Sequence, residues 1–320
     1  MRTDDGDAIC PLCSWLFTAN GPGTNLVIAV SVSGGVSRTV EALRLARQVG
    51  ATAVALTGNP KSRLAQEGEL VLETAVPPLP TKRPNQIVPG SRSYIASQLM
   101  LYLCAIQLGE MRDHLPRPLA NKLRRELTAT ADLMEETIAL SDTAAQRLAH
   151  DWQDANQFVF CGAGPNYGTA LFSAAKLLEA SGDITSGQDM EEWAHLQYFG
   201  REVNTPTFLI SAAGREVDRT MEIYTAAKAI GRRVALIAPK NSTLAKMGDQ
   251  DGLLATAVPP RECFSPLLTC LPGALFAAYR AQIIGEPYFR NFGGGRSAEG
   301  GGGISRIRTS HQIMEVTRKT

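Results

Sequence analysis

Twice in this chain a short apolar run breaks into a loop of small residues and resumes as a helix-patterned segment, and this recurrence limits the possible fold more than any other feature. In the first half, Asn25-Leu26-Val27-Ile28-Ala29-Val30-Ser31 is bounded by Gly21-Pro22-Gly23 and by Ser33-Gly34-Gly35. That is the pattern of a strand buried on both faces. Over 37–49 the apolar residues Val40, Leu43, Ala46 and Val49 recur every three or four positions, and Gly50 supplies a stop. Strands at 53–57 and 69–73 follow, with the turn Gly58-Asn59-Pro60 between them. Strand, helix and strand in this order make a parallel α/β layer.

The second half repeats the plan. It predicts strands at 158–161, 207–211, 234–238 and 253–258, with helices at 169–180 and at 217–230 before Gly231. The echo reaches details: Val76-Pro77-Pro78 recurs as Val258-Pro259-Pro260, and the helix ending Ala46-Arg47-Gln48-Val49-Gly50 resembles Ala227-Lys228-Ala229-Ile230-Gly231. Two related α/β domains in tandem are expected, at 25–115 and 155–290. Helices at 91–110 and 269–284 close them. The stretch 116–154 reads as a helical link, 1–24 as an irregular N-terminus, and 291–320, with its glycine runs, as a flexible tail.

Near-equal basic and acidic counts, 32 and 31, leave no basic footprint for nucleic acid. Small anions remain possible partners, because helix N-termini bind them without net positive charge. No run approaches the roughly 18 to 20 apolar residues of a membrane span, and the first residues lack a signal peptide's pattern; a cytoplasmic protein with no membrane partner is expected. Of six cysteines only Cys10 and Cys13 stand at C-x-x-C spacing, a weak zinc signal without a second pair. No metal site and no cofactor are predicted, and Cys104 and Cys161 read as small core residues.

Two stretches carry chemistry. At Ser31-Val32-Ser33-Gly34-Gly35-Val36-Ser37 a strand ends in a hydroxyl- and glycine-bearing loop that opens a helix. Phosphate suits such a place, which offers helix N-terminal amides, the positive dipole end and hydroxyl donors. Helix capping accounts for the same residues equally well. In the second half, Phe158-Val159-Phe160-Cys161-Gly162-Ala163-Gly164 leads into a helix bearing Lys176 and Glu179, with Glu192 and His195 soon after. Lys176 and Glu179 share a helix face, as a catalytic pair or as an ordinary surface ion pair. His195 is a proton shuttle or a packing residue.

These motifs resemble the sugar isomerase (SIS) domain, in which a strand leads into Ser-x-Ser-Gly-x-Thr and a helix, followed by a strand and an Asn-x-x-x-Ser turn, here Asn59-Pro60-Lys61-Ser62. The second half resembles the isomerase half of glucosamine-6-phosphate synthase over Gly162-Ala163-Gly164, Tyr167, Lys176, Glu179 and His195. A tandem pair without a glutaminase domain is similar to the stand-alone phosphosugar isomerases and fructosamine-6-phosphate deglycases. The resemblance implies two flavodoxin-like three-layer sandwiches and a sugar phosphate as partner. Ser31, Ser33, Gly34, Ser37, Ser91, Gly162 and Gly164 would bind substrate or phosphate. Glu179 would move a proton between C1 and C2, Lys176 would orient it, His195 would open the ring with Glu192 in support, and a homodimer would share the site.

The departures from that family are specific. Val36 replaces the phosphate-binding threonine, Val32 replaces a frequent polar residue, and Pro287-Tyr288-Phe289-Arg290-Asn291-Phe292 lacks the synthase's lysine. About twenty residues precede Asn25, whereas the missing opening strand, loop and helix need about 30; the first domain is therefore expected to be shortened. The leading expectation is an isomerase or deglycase working through an enediol or enamine, the deglycase slightly preferred. The alternative is a sugar-phosphate-binding regulator or truncated pseudoenzyme.

Overall fold

The computed structural model describes residues 25–78, 88–293 and Arg296. The chain forms two compact units, one built on 25–78 with Arg92–Leu101, the other on Tyr102–Asn291.

In the first unit the elements are β1 (Leu26–Val30), α1 (Ser37–Gln48), β2 (Thr52–Thr57), α2 (Arg63–Glu67) and β3 (Leu70–Glu73). The strands are parallel in the order β1-β2-β3, with Leu26 opposite Thr52 and Val54 opposite Leu70. Val40 and Leu43 of α1 pack on Ala29, Ala53 and Ala55 of the strands and on Leu64 of α2. Alanines on the sheet let the helix sit close, so Leu43 has no exposed surface. Truncating it to alanine would cost about 2–5 kcal/mol.

Helix α3 (Arg92–Met111) follows, and the second unit contains α4 (Arg117–Asp151), β4 (Gln157–Gly162), α5 (Pro165–Ser181), β5 (Ile184–Asp189) and α6 (Met190–His195). It continues with β6 (Thr207–Ile210), α7 (Val217–Ala229), β7 (Val234–Pro239), α8 (Thr243–Met247), β8 (Leu253–Thr256) and α9 (Pro266–Ile284). Its five parallel strands run in the order β5-β4-β6-β7-β8. Because side chains alternate along a strand, Phe158 and Phe160 join Trp152, Phe208 and Phe276 on one face. Val159 and Cys161 join Met190, Trp193 and Leu209 on the other. The first face is an aromatic cluster, with Phe160 stacked on Phe208 at 4.5 Å and Phe276 edge-on to Phe208 at 4.8 Å between centroids.

The expected fold class holds: two parallel sheets, of three and five strands, are flanked by helices. The stretch 116–154, read as a link, is mostly the single helix α4, and its Ala145, Leu148 and Ala149 belong to the aromatic core of the second unit. Thr137 and Ser141 of α4 tie it to the end of β8, accepting from Ala257 N and donating to Ala255 O. Strand β5 escaped the sequence reading because Ile-Thr-Ser-Gly-Gln-Asp has no apolar run. It lies at the sheet edge, where pairing to β4 from Gln157↔Ile184 to Gly162↔Asp189 replaces burial as its support. Against the sequence reading that no run approaches a membrane span, one helix among the described residues, α9 with the turn before it, is long and apolar enough to span a bilayer, and most of it is buried within the second unit.

The repeat is now visible element by element. β1-α1-β2-α2-β3 corresponds to β6-α7-β7-α8-β8. Ser31 N donates to Leu56 O as Ser211 N donates to Ile237 O. Ser62 caps α2 through Ala65 N, and Ser242 caps α8 through Ala245 N. Among the described residues the first sheet has no counterpart of β4 or β5. The expected shortening of the first domain falls on residues 1–24, which lie outside the described residues.

Candidate functional site

In the first unit the loop 31–36 joins β1 to α1. Ser31 is buried, Gly34 N donates to Ser31 O at 3.0 Å, and Gly35 N donates to Ser33 Oγ at 3.3 Å. Gly34 has φ +64°, and a Cβ there would fall 2.0 Å from Ser62 Oγ, so the loop lies directly on the cap of α2. That explains Asn59-Pro60-Lys61-Ser62: Ser62 supports the loop while capping α2. Helix α1 begins with Val36 as its cap residue, without a side-chain cap bond and without an acidic residue in the first turn. Two guanidiniums stand near this end, Arg38 in the first turn and Arg63, whose Nη1 is 3.5 Å from Ser37 Oγ. Neither arginine was singled out in the sequence; Arg63 lies far from Ser37 in the chain and only the packing of α2 on α1 joins them.

The corresponding loop of the second unit is built differently. Glu216, at the position of Val36, turns its carboxylate back so that Oε1 accepts from Ser211 Oγ at 2.9 Å and from Ala212 N at 3.0 Å. A carboxylate oxygen therefore already sits on this β–α loop. The first unit has Val36 at that place, which offers no oxygen.

Gly162 ends β4 and Gly164 is the cap residue of α5. A Cβ on Gly162 would come within 2.2 Å of Asn166 O, so this glycine permits close packing of β4 on the helix, whereas the Gly164 position is open. Asn166 is buried, its Nδ2 donating to Ser265 Oγ and its Oδ1 accepting from Thr269 Oγ1. Lys176 and Glu179 lie on the same helix but farther along, about 18–23 Å from Gly164 at 1.5 Å per residue. The structure thus brings Lys176 to Glu179 and separates both from the glycine loop. Lys176 Nζ donates to Glu179 Oε2 and lies 5.6 Å from the Phe172 ring centroid. The side chains are 12% and 26% exposed, a largely enclosed pair.

Glu192 and His195 are exposed on α6. The helix is capped by Asp189, anchored by buried Met190 and Trp193, and tied to α7 by the Glu191–Arg219 pair. The Arg219 guanidinium holds the Glu191 carboxyl below its ordinary range. Ser91 immediately precedes α3 and is half-buried. Burial pushes the Cys161 thiol far up, out of reach of thiolate chemistry at neutral pH. Among the described residues no three His, Cys, Asp or Glu side chains gather as a metal site. Cys10, Cys13 and most of the glycine-rich tail lie outside the described residues.

Residues 24–107 match the SIS domain model. Over 268 residues the chain is 28% identical to a glutamine–fructose-6-phosphate aminotransferase (isomerizing) of Thermococcus kodakarensis, covering 82% of this chain and 42% of that protein. The chain thus spans about two fifths of the length of the curated relatives it matches. Its fold is that of the C-terminal domain of glucosamine-fructose-6-phosphate aminotransferase from Francisella tularensis, with TM-score 0.72 at 18% identity over 85% of this chain and 76% of the other. The tagatose-6-phosphate ketose/aldose isomerase of Escherichia coli shares the fold, with TM-score 0.58 at 15% identity over 84% and 71% of the two chains. Residues 24–107 thus match a SIS domain, and most of the chain resembles isomerizing aminotransferases in sequence and shares its fold with sugar-phosphate isomerases.

Proposed function

We propose that the loop 31–37 of the first unit binds the phosphate of a hexose phosphate, and that Glu179 of the second unit is the base of a proton transfer between C1 and C2 of an open-chain sugar phosphate. The observation that carries the phosphate assignment is the contrast between the repeats. The loop form that holds the Glu216 carboxylate in the second unit carries Val36 in the first, beside Arg38 and Arg63. An anion supplied from outside takes the place of the built-in one. The proteins it resembles are named for hexose 6-phosphates, which fits a ligand with one phosphate and a carbonyl near the other end.

The chemistry follows from the groups. Glu179 takes a proton from C1 of a ketose, the C–H electrons form the C1=C2 double bond, and the C2 oxygen gains a proton from His195 or Lys176. Returning a proton to C2 as the C1 hydroxyl gives up its own gives the aldose. With an amino acid on C1 the same transfer yields an aldimine, to which water adds before the amine leaves, so deglycation needs no additional base. We favour this second substrate class, and a dimer in which His195 completes the neighbouring site.

Proton NMR in heavy water tests the reading with fructose 6-phosphate and a fructosamine 6-phosphate. The wild type should wash out a C1 or C2 proton, and Glu179→Gln should slow this by at least about 100-fold. Failure of the wild type to exchange either compound would overturn the catalytic reading. A sugar-phosphate-binding protein without chemistry is the second reading. It is favoured by the closed Lys176–Glu179 pair, the arrangement of an ordinary helix ion pair, and would show as binding without exchange.

A further inference from the structure

The second unit has a concavity at the amino-terminal ends of β4 and β5 and so at the opposite end of the sheet from Gly162. It is a cleft of about 320 Å³, bounded by Gln157 and Ser186 on the strands, by Gln197, Arg201 and Glu202 on the segment after α6, and by Arg232 before β7.

Arg232 makes this cleft unusual. The residue is only 4% exposed, its Nη2 donates to Gln197 O at 2.7 Å, and its Nε is buried without a hydrogen-bond partner. Among the described residues no carboxylate lies within ion-pair distance of it; Glu202 acts on it only from farther away. The other buried arginine of this unit shows what satisfaction looks like. Arg280, 3% exposed, bonds Asp183 through Nε and Nη2 and the carbonyls of Trp152 and Ala155 through Nη1 and Nη2. A buried guanidinium without a countercharge is costly, and an unmade bond on a buried donor adds to the cost. Burial accordingly pulls the Arg232 pKa down, with Glu202 opposing.

We propose that this cleft is a site for a small oxyanion, a carboxylate or phosphate group, that meets the Arg232 guanidinium, with Arg201 at the rim as a second cation. A guanidinium edge matches the oxygens of either group. Gly200 belongs to the same construction: a Cβ there would stand 3.1 Å from Arg232 Nη2, so the segment passes close over the guanidinium. Glu202 partly offsets the two cations, which suits an anion of low charge.

The test follows the arginine Nε–H signals of the ¹⁵N-labelled full chain during titration with sodium phosphate and, separately, sodium succinate at constant ionic strength. The signal missing from Arg232→Lys identifies the residue. It should move saturably with one anion or both, and the anion with the lower half-saturation point names the source. Two exposed-residue variants keep the result readable if Arg232→Lys does not fold. Arg201→Gln should weaken binding about threefold or more, and Glu202→Gln should tighten it by a similar factor, as for removal of a partly screened charge. No saturable shift with either anion, or identical curves in both variants and the wild type, would overturn the proposal. A phosphate response confined to the amides of 31–37 would also overturn it, since it would locate the anion on the other unit alone.

Discussion

Gly34 is the residue on which the loop 31–36 turns. Its φ of +64° is a conformation side chains adopt at a cost, and Ser62 Oγ fills the space a methyl group would need. Gly34→Ala should destabilise the chain by about 1–3 kcal/mol, read from the urea midpoint of the spectroscopic transition. Adding Ser62→Gly should relieve the clash and leave the φ strain, so only part of the loss should return. An unchanged midpoint in Gly34→Ala would show that the loop does not rest on α2. The glycine itself was legible from the strand–loop–helix pattern. Its partner was not, because Ser62 reads equally as a turn residue of Asn59-Pro60-Lys61-Ser62. Gly162 teaches the same lesson in reverse: its sequence context suggests a ligand loop, whereas its immediate neighbour in space is the Asn166 backbone.

At the scale of elements, the crossing of α5 and α9 decides how well the second unit packs. Gly273 of α9 lies over Ser173 of α5, where a Cβ would fall 2.4 Å from Ser173 Oγ, and that hydroxyl is buried without a partner. Gly273→Ala should therefore cost about 1–3 kcal/mol as an overpacking change. Ser173→Ala should be neutral or stabilising, because it removes an unsatisfied polar atom. The double variant Gly273→Ala with Ser173→Gly should regain most of the loss. Denaturant midpoints of the wild type, Gly273→Ala, Ser173→Gly and the double variant close the cycle, and additive effects would mean the helices do not meet there. Periodicity made α1, α5, α7 and α9 readable, but pairing of α5 with α9 joins residues about a hundred positions apart. The Asn166–Thr269 and Asn166–Ser265 bonds that fix the crossing were invisible for the same reason. Strand β5 was missed because an edge strand supported by backbone pairing need not be apolar.

Across the whole molecule, the two repeats have the same β–α–β–α–β plan but treat their loops in opposite ways. The second unit closes its loop with Glu216 and carries the candidate base on an element the first unit does not have among its described residues, α5. The first keeps two serines, a glycine turn and nearby arginines but lacks the threonine its resemblance calls for. Position 36 therefore tests the division of labour. Val36→Glu should convert the first loop to the self-capped form, leave the urea midpoint equal or higher, and weaken fructose 6-phosphate binding at least about tenfold by like-charge exclusion, the energy of about 1.4 kcal/mol. Val36→Thr should act the other way. One added hydrogen bond of about 1 kcal/mol should tighten binding about fivefold with no change in fold. Glu216→Gln, in the unit that already holds its own anion, should leave the affinity as it is. Calorimetric titration of the wild type and these three variants separates the outcomes. If Val36→Glu bound the sugar phosphate as the wild type does, the phosphate would have to sit elsewhere, and the contrast between the two loops would reflect helix capping alone.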